Sequence, residues 1–99
     1  MTPEEAQAAL AACREQIDEV DRRLVALINE RVRVVEQIGQ IKQSAALNVY
    51  EPNRERAVLD NVASANPGPL PPDSAVRIFE RIMDEMRTIQ RNRMLSKEN

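Results

Sequence analysis

The sequence predicts an all-α protein with three helices: a very long N-terminal helix, a short second helix and a long C-terminal one. Apolar residues recur with helical spacing in three segments, which are separated by stretches rich in turn-forming residues. The first segment also carries a seven-residue repeat, typical of a helix that packs along a second helix. We therefore expect a single helical domain over residues 1–99 that forms an intertwined helical homodimer.

The first helix is predicted from Thr2 to Gln43. Thr2 suits the N-cap, Pro3 suits the first helical position, and Glu5 completes a capping box. Gly39 is tolerated inside this helix at a cost of about 1 kcal/mol. The a and d positions of the repeat define an apolar seam, formed by Leu10, Cys13, Ile17, Val20, Leu24, Leu27, Arg31, Val34, Ile38 and Ile41.

Arg31 is the charged residue of this seam. Its guanidinium needs a partner, because burying an unpaired charge is costly. That partner is either a carboxylate of the protein or a ligand. A helix of about 40 residues is also about 60 Å long, whereas a domain of this size has a radius of gyration near 13 Å. The remaining residues cannot cover it, and a second copy of the chain is the simplest way to do so.

The second helix is predicted to begin at Glu51 or Pro52, after a short connection from Ser44 to Tyr50. The run from Asn66 to Pro72, rich in proline, ends it. Its apolar residues with helical spacing are Val58, Leu59, Val62 and Ala65.

The third helix is predicted to start with Asp73 or Ser74 as its cap and to run to about Met94. A polar amide, Gln90, lies at the end of its apolar face, one turn beyond Met86. The residues expected to be buried on this face are Ala75, Ile78, Phe79, Ile82, Met86 and Ile89.

The composition excludes several kinds of site. The chain has no histidine and one cysteine, so the common zinc clusters and Cys/His or Ser/His/Asp nucleophile systems cannot be assembled. Cys13 is expected to be a small core residue in a reducing compartment, and the chain is expected to be cytoplasmic. A net charge of -2 and two aromatic residues argue against nucleic-acid or membrane binding, and no stretch is apolar enough to span a membrane.

The helical register predicts a pocket for a small anion. Arg31 and Lys42 leave the first helix within about 20° of each other and about 16 Å apart, with Ile38 between them as an apolar floor. Arg14 lies about 25 Å from Arg31, too far to hold the same small ligand unless it comes from the partner chain. Further polar groups are expected from Glu51, Arg54, Glu55 and Gln90. Arginine forks match carboxylates, so such a pocket suits a dianion.

Each of these residues also has a structural interpretation. Arg31 can set the register of the seam by pairing with a glutamate such as Glu30. Lys42 can interact favourably with the helix dipole, because it lies near the C-terminus of the first helix. Arg54 and Glu55 can be surface residues. Gln90 can be a satisfied core amide. Spacing alone leaves these alternatives open.

Three segments nevertheless resemble the all-helical chorismate mutases, the AroQ class of type II enzymes, in order and spacing. They are CREQIDEVDRRLVALINERVRVVEQIGQIK, NVYEPNRERAVL and RIMDEMRTIQ. The packing of an ordinary coiled coil does not require the combination of residues by which the first segment matches the family pattern. These residues are Arg14, Asp18, Asp21, Arg31, Gly39 and Lys42. The resemblance implies conversion of chorismate to prephenate, in phenylalanine and tyrosine biosynthesis, by a homodimer that needs no cofactor or metal.

The resemblance also implies roles for individual residues. Arg31 and Arg14 of the partner chain would hold the two substrate carboxylates, with Arg54 in support. Lys42 and Gln90 would hydrogen-bond the ether oxygen. The ring hydroxyl would meet Glu55 and the backbone near Glu51.

Two positions depart from the family pattern. Glu51 stands where aspartate is common, and Met86 where many relatives carry a small polar residue that touches a substrate carboxylate. The second departure implies that this contact is missing or is made by water.

Two other functions are compatible with the sequence. One is isochorismate pyruvate lyase, which shares the fold, although Arg54 beside Glu55 looks more like the mutases. The other is a weakly active regulatory or docking module of another shikimate-pathway enzyme, either as a separate partner or as part of a fusion.

Overall fold

The computed structural model describes residues 1–98, with side chains described through Met94. These residues form three helices and no strand: α1 (Pro3–Ser44), α2 (Pro52–Ala65) and α3 (Pro72–Glu98). The predicted all-α class and order of helices are confirmed. Across this part of the chain, no helix combines the length and apolar character needed to cross a lipid bilayer.

The beginning of α1 follows its predicted cap. The Glu5 backbone nitrogen donates to Thr2 Oγ1 at 3.1 Å, and the Ala6 nitrogen donates to the Thr2 carbonyl at 2.9 Å. The first bond satisfies a backbone donor that the first turn of a helix otherwise leaves without an intrahelical partner, and the second is the first regular hydrogen bond of the helix.

The end of α1 is closed by a Schellman motif, which the sequence analysis did not predict. The Leu47 nitrogen donates to the Lys42 carbonyl at 2.8 Å, and the Ala46 nitrogen donates to the Gln43 carbonyl at 3.3 Å. Ala46 takes the left-handed conformation this motif needs, with φ of 55°. The chain therefore turns sharply just after Lys42.

The chain forms two compact units, residues 1–34 and the residues from Val35 onward. The first unit consists of the N-terminal part of α1. Its apolar seam is solvent-exposed in the single chain, with Leu24 50% and Leu27 61% exposed. Cys13, expected to be a small core residue, is exposed as well. The exposure leaves a continuous apolar face on this part of α1.

In the second unit, α2 packs against α3. Ala75 and Met86 are buried as predicted, and Met83, which was not predicted, is buried too. The prediction for Ile78 is wrong for the single chain, because its side chain is 49% exposed. At about 100° per residue, Met83 lies on one side of Ala75 and Ile78 on the other, so the face of α3 that meets α2 is turned toward Met83. The other predicted residues of the stripe, Phe79, Ile82 and Ile89, are half-buried.

The helix α3 is longer at both ends than predicted. It starts at Pro72, with the Ala75 nitrogen donating to the Pro71 carbonyl at 3.1 Å, so neither Asp73 nor Ser74 is its cap. Proline fits a first turn because its missing N–H would have no intrahelical acceptor there. The helix continues beyond Met94 to Glu98, since no glycine or proline interrupts the sequence.

The turn between α2 and α3 is organised by Asn66. Its side chain accepts a hydrogen bond from the Gly68 nitrogen at 3.1 Å and donates one to the Leu70 carbonyl at 2.7 Å. Gly68 has a φ of 75°, which a side chain at that position would disfavour. The turn is therefore held by local hydrogen bonds.

Candidate active site

Lys42 is held firmly at the end of α1. Its side chain is 11% exposed, and its Nζ donates to the carbonyl of Val49 at 2.9 Å. It also forms an ion pair with Glu51, the N-cap residue of α2. An ammonium group has three donors, and these contacts use two of them. The loop between α1 and α2 therefore orients Lys42 while leaving it able to offer a third hydrogen bond to a ligand.

Gln90 reaches from α3 to the last part of α1. Its Nε2 donates to the Val35 carbonyl at 3.4 Å, a long hydrogen bond and so a weak one. Gly39 faces the same amide, and a Cβ added at Gly39 would lie 3.8 Å from Nε2. This contact occupies one of the two N–H donors of the amide, and because it is weak, a ligand with a better acceptor could replace the carbonyl at small cost.

A cavity of about 200 Å³ opens beside Gln90 within the second unit. Arg93 and Glu36 both line it, and they form an ion pair at 3.0 Å. The other lining residues are Gly39, Gln40, Gln43 and Met94. Lys42, Arg54 and Glu55 lie outside this lining, so the cavity is not the complete pocket that the sequence predicts.

Glu55 has a partner that the sequence analysis missed. Arg87 of α3 donates from Nη1 to Glu55 and from Nη2 to Asp84. The hydrogen bond with Glu55 raises the pKa of Arg87 above its ordinary value, because the carboxylate stabilises the charged guanidinium. Only a weak signal for this contact is present in the sequence. Asp84 and Arg87 have the spacing of a helical ion pair, and Arg87 lies three residues before Gln90.

The remaining predicted residues of the second unit differ in exposure. Arg54 lies in the first turn of α2 and is exposed. Met86 is only 4% exposed, so its thioether belongs to the packing between helices and offers little surface to a ligand. That a substrate contact is missing at this position, or is made by water, stays a prediction.

Arg14 and Arg31 belong to the first unit. Arg14 is exposed on α1, whereas Arg31 is half-buried and engaged in an interaction. The second unit thus contains six of the predicted site residues: Lys42, Glu51, Arg54, Glu55, Met86 and Gln90.

Comparison with known proteins identifies the family. The sequence profile of chorismate mutase type II matches residues 13–91, a range that begins just before Arg14 and ends just after Gln90. The chain belongs to the chorismate mutase type II family. The resemblance seen in the three sequence segments is confirmed.

The chain is similar in fold to a solved chorismate mutase and similar in sequence to further relatives. A chorismate mutase structure from Thermus thermophilus superposes with a TM-score of 0.81 at 30% identity, covering 84% of this chain and 94% of that one. A bifunctional chorismate mutase/prephenate dehydratase of Neisseria gonorrhoeae is 40% identical over 78 residues, covering 79% of this chain and 21% of the relative. A chorismate mutase of Methanocaldococcus jannaschii is 23% identical over 91 residues, covering 91% of this chain and 92% of the relative. The chain therefore spans about a fifth of the bifunctional relative.

Proposed function

We propose that this member of the chorismate mutase type II family converts chorismate to prephenate. The observation that carries the proposal is the family match over residues 13–91, which includes every residue assigned to the site. The position of Lys42 supports it, because a nearly buried ammonium held by a loop carbonyl is a preorganised donor.

The chemistry suits a site without a nucleophile. The rearrangement is unimolecular and needs neither an acid nor a base, so a protein accelerates it by holding the reactive conformer and stabilising charge on the breaking C–O bond. In our proposal Lys42 and Gln90 donate hydrogen bonds to the ether oxygen. Gln90 does so by exchanging its long bond to Val35 for a better acceptor.

The arginines have a different role in this proposal. Arg31 and the partner's Arg14 bind the two carboxylates of the substrate, and Arg54 supports that side of the site. The ring hydroxyl meets Glu55 and the backbone near Glu51. Fork-shaped guanidinium groups are suited to this work because they can make two parallel hydrogen bonds to one carboxylate.

We also propose that the active form is a homodimer in which two copies of α1 pack along the apolar seam. The exposed seam supports this proposal: Leu10, Ile17, Leu24 and Leu27 are each at least 45% exposed in the single chain. Covering side chains of this size removes a large apolar area from water, at about 25 cal/mol per Å². The dimer would also bring Arg14 to the site from the other chain.

The proposed activity is tested by incubating the purified protein with chorismate. We expect the chorismate absorbance to fall and prephenate to accumulate, while size-exclusion chromatography with light scattering gives the mass of a dimer. A folded dimer that converts no chorismate above the uncatalysed rate would overturn the proposal. Parallel incubation with isochorismate and assay of released pyruvate distinguishes a mutase from a lyase.

A link to a neighbouring reaction is a further part of this proposal. The Neisseria gonorrhoeae relative is named a bifunctional chorismate mutase/prephenate dehydratase. We propose that this chain works with a dehydratase, as a fusion or a separate partner, in the cytoplasm. A single cysteine suits a reducing compartment such as the cytoplasm. The neighbouring coding sequence tests the link to a dehydratase, and cell fractionation tests the location.

A further inference from the structure

Arg87 connects the two helices that pack together in the second unit. One arm of its guanidinium donates to Glu55 on α2, and the other donates to Asp84, one turn earlier on its own helix α3. Its side chain is 37% exposed, and that of Glu55 is 28% exposed. The ion pair is thus partly shielded from water, and the bond to Asp84 restricts the directions in which Arg87 can point.

The geometry limits what Glu55 can do. Its Oε1 atom accepts from Arg87, which fixes the plane of the carboxylate and leaves Oε2 to accept from another group. A glutamate side chain has several rotatable bonds, and ordering it costs conformational entropy. The contact with Arg87 meets that cost before a ligand arrives.

We infer that Arg87 is a positioning residue that holds Glu55 ready to accept a hydrogen bond from the ring hydroxyl of the substrate. This inference rests on the proposed mutase function and assigns Arg87 no contact with the substrate. Its effect is therefore specific: loss of Arg87 weakens recognition of the hydroxyl more than it weakens the rest of the site. A purely structural role between α2 and α3 would affect all substrates alike.

The experiment compares chorismate with an analogue in which hydrogen replaces the ring hydroxyl. For each variant, kcat/KM is measured with both compounds, and their ratio reports how strongly the site recognises the hydroxyl. The variants are Arg87→Met, Arg87→Lys, Glu55→Gln and the double variant Arg87→Met with Glu55→Gln. The matched control is Arg81→Met, because Arg81 lies on the same helix and pairs with Glu85 at 2.8 Å on an exposed surface.

We expect Arg87→Met to lower the ratio about tenfold, as for loss of a hydrogen bond to a charged group. Arg87→Lys should restore part of the ratio, since lysine keeps the charge but cannot reach Glu55 and Asp84 with one rigid fork. In the Glu55→Gln background, Arg87→Met should lower the ratio no further. Arg81→Met should leave the ratio at the wild-type value.

Two results would overturn the inference in distinguishable ways. If the wild-type protein turns over chorismate but Arg87→Met leaves the ratio unchanged, the positioning role is wrong and the mutase function stands. If the wild-type protein turns over neither compound, the mutase function and the positioning role fall together.

Discussion

The ammonium group of Lys42 donates to the carbonyl oxygen of Val49, seven residues further along the chain, at 2.9 Å. The Schellman motif at Ala46 and Leu47 makes this contact possible, because it reverses the chain immediately after α1. Glu51 then reaches the same ammonium from the start of α2. The position of Lys42 thus depends on the end of one helix, the following loop and the start of the next.

Replacing Lys42 tests whether this preorganised donor acts on the substrate. We expect Lys42→Ala to lower kcat at least about a hundredfold, as for removal of one donor aimed at developing negative charge. The helical circular dichroism signal should stay near that of the wild-type protein. Arg22→Ala is the control, because Arg22 forms an exposed pair with Glu19 at 2.8 Å. Near wild-type turnover of Lys42→Ala would mean that the site lies elsewhere.

Replacing Arg31 distinguishes a substrate-binding role of this seam residue from a purely structural one. We expect Arg31→Leu to lower kcat/KM about a hundredfold or more while the protein remains a dimer, because leucine continues the apolar repeat but cannot bind a carboxylate. Chorismate kinetics and light scattering are measured on the same sample. If turnover persists and only the thermal stability or the oligomeric state changes, Arg31 is a register-setting residue.

The loop that holds Lys42 contains a residue in an unfavourable conformation. Ala46 has a φ of 55°, where glycine is preferred, so Ala46→Gly should raise the free energy of unfolding by about 1 kcal/mol. Gly68 has a φ of 75°, and Gly68→Ala should lower the same free energy by about 1 kcal/mol. Urea unfolding measures both values. Equal signs for the two substitutions would contradict the backbone argument.

The seam is tested by placing a charge on it. Leu24 is 50% exposed in the single chain, so Leu24→Glu should be harmless to a monomer but should disrupt a dimer that buries this position. We expect light scattering to show a dissociation constant raised by at least about a hundredfold. Asn29→Glu is the matched control on the opposite face of the heptad repeat. A dimer equally stable in both variants would show that the seam is not the interface.

The class of fold could be predicted because its signals are local. The cap at Thr2, the heptad repeat and the break from Asn66 to Pro72 each specify backbone structure within a few residues. The ends of α3 were predicted less accurately. Pro72 and Asp73 both suit a first turn, and only tertiary context selects between them. The burial of Met83 in place of Ile78 depended on how α2 approaches α3, which periodicity alone does not specify.

In the candidate site, too, some residues could be predicted from the sequence and their contacts could not. Gln90 stood out because a polar residue at the end of an apolar face needs a reason, and Lys42 stood out because it leaves α1 on the same side as Arg31. The partners of those residues did not stand out. The carbonyls of Val49 and Val35 have no sequence signal, and Arg87 resembles any arginine of a surface ion pair until its contact with Glu55 is seen. The assignment of Arg14 to a neighbouring chain rests on helix geometry and on the family, and it stays a prediction.

The central claim is that each site is built from two chains, and mixing two inactive variants tests it most directly. Arg14→Ala and Lys42→Ala chains are purified separately, combined in equal amounts, dissociated and allowed to reassociate. About half of the dimers should then contain one chain of each kind, and each of these has one intact site, so about a quarter of the wild-type chorismate turnover should return. A mixture no more active than its two components would contradict the shared site.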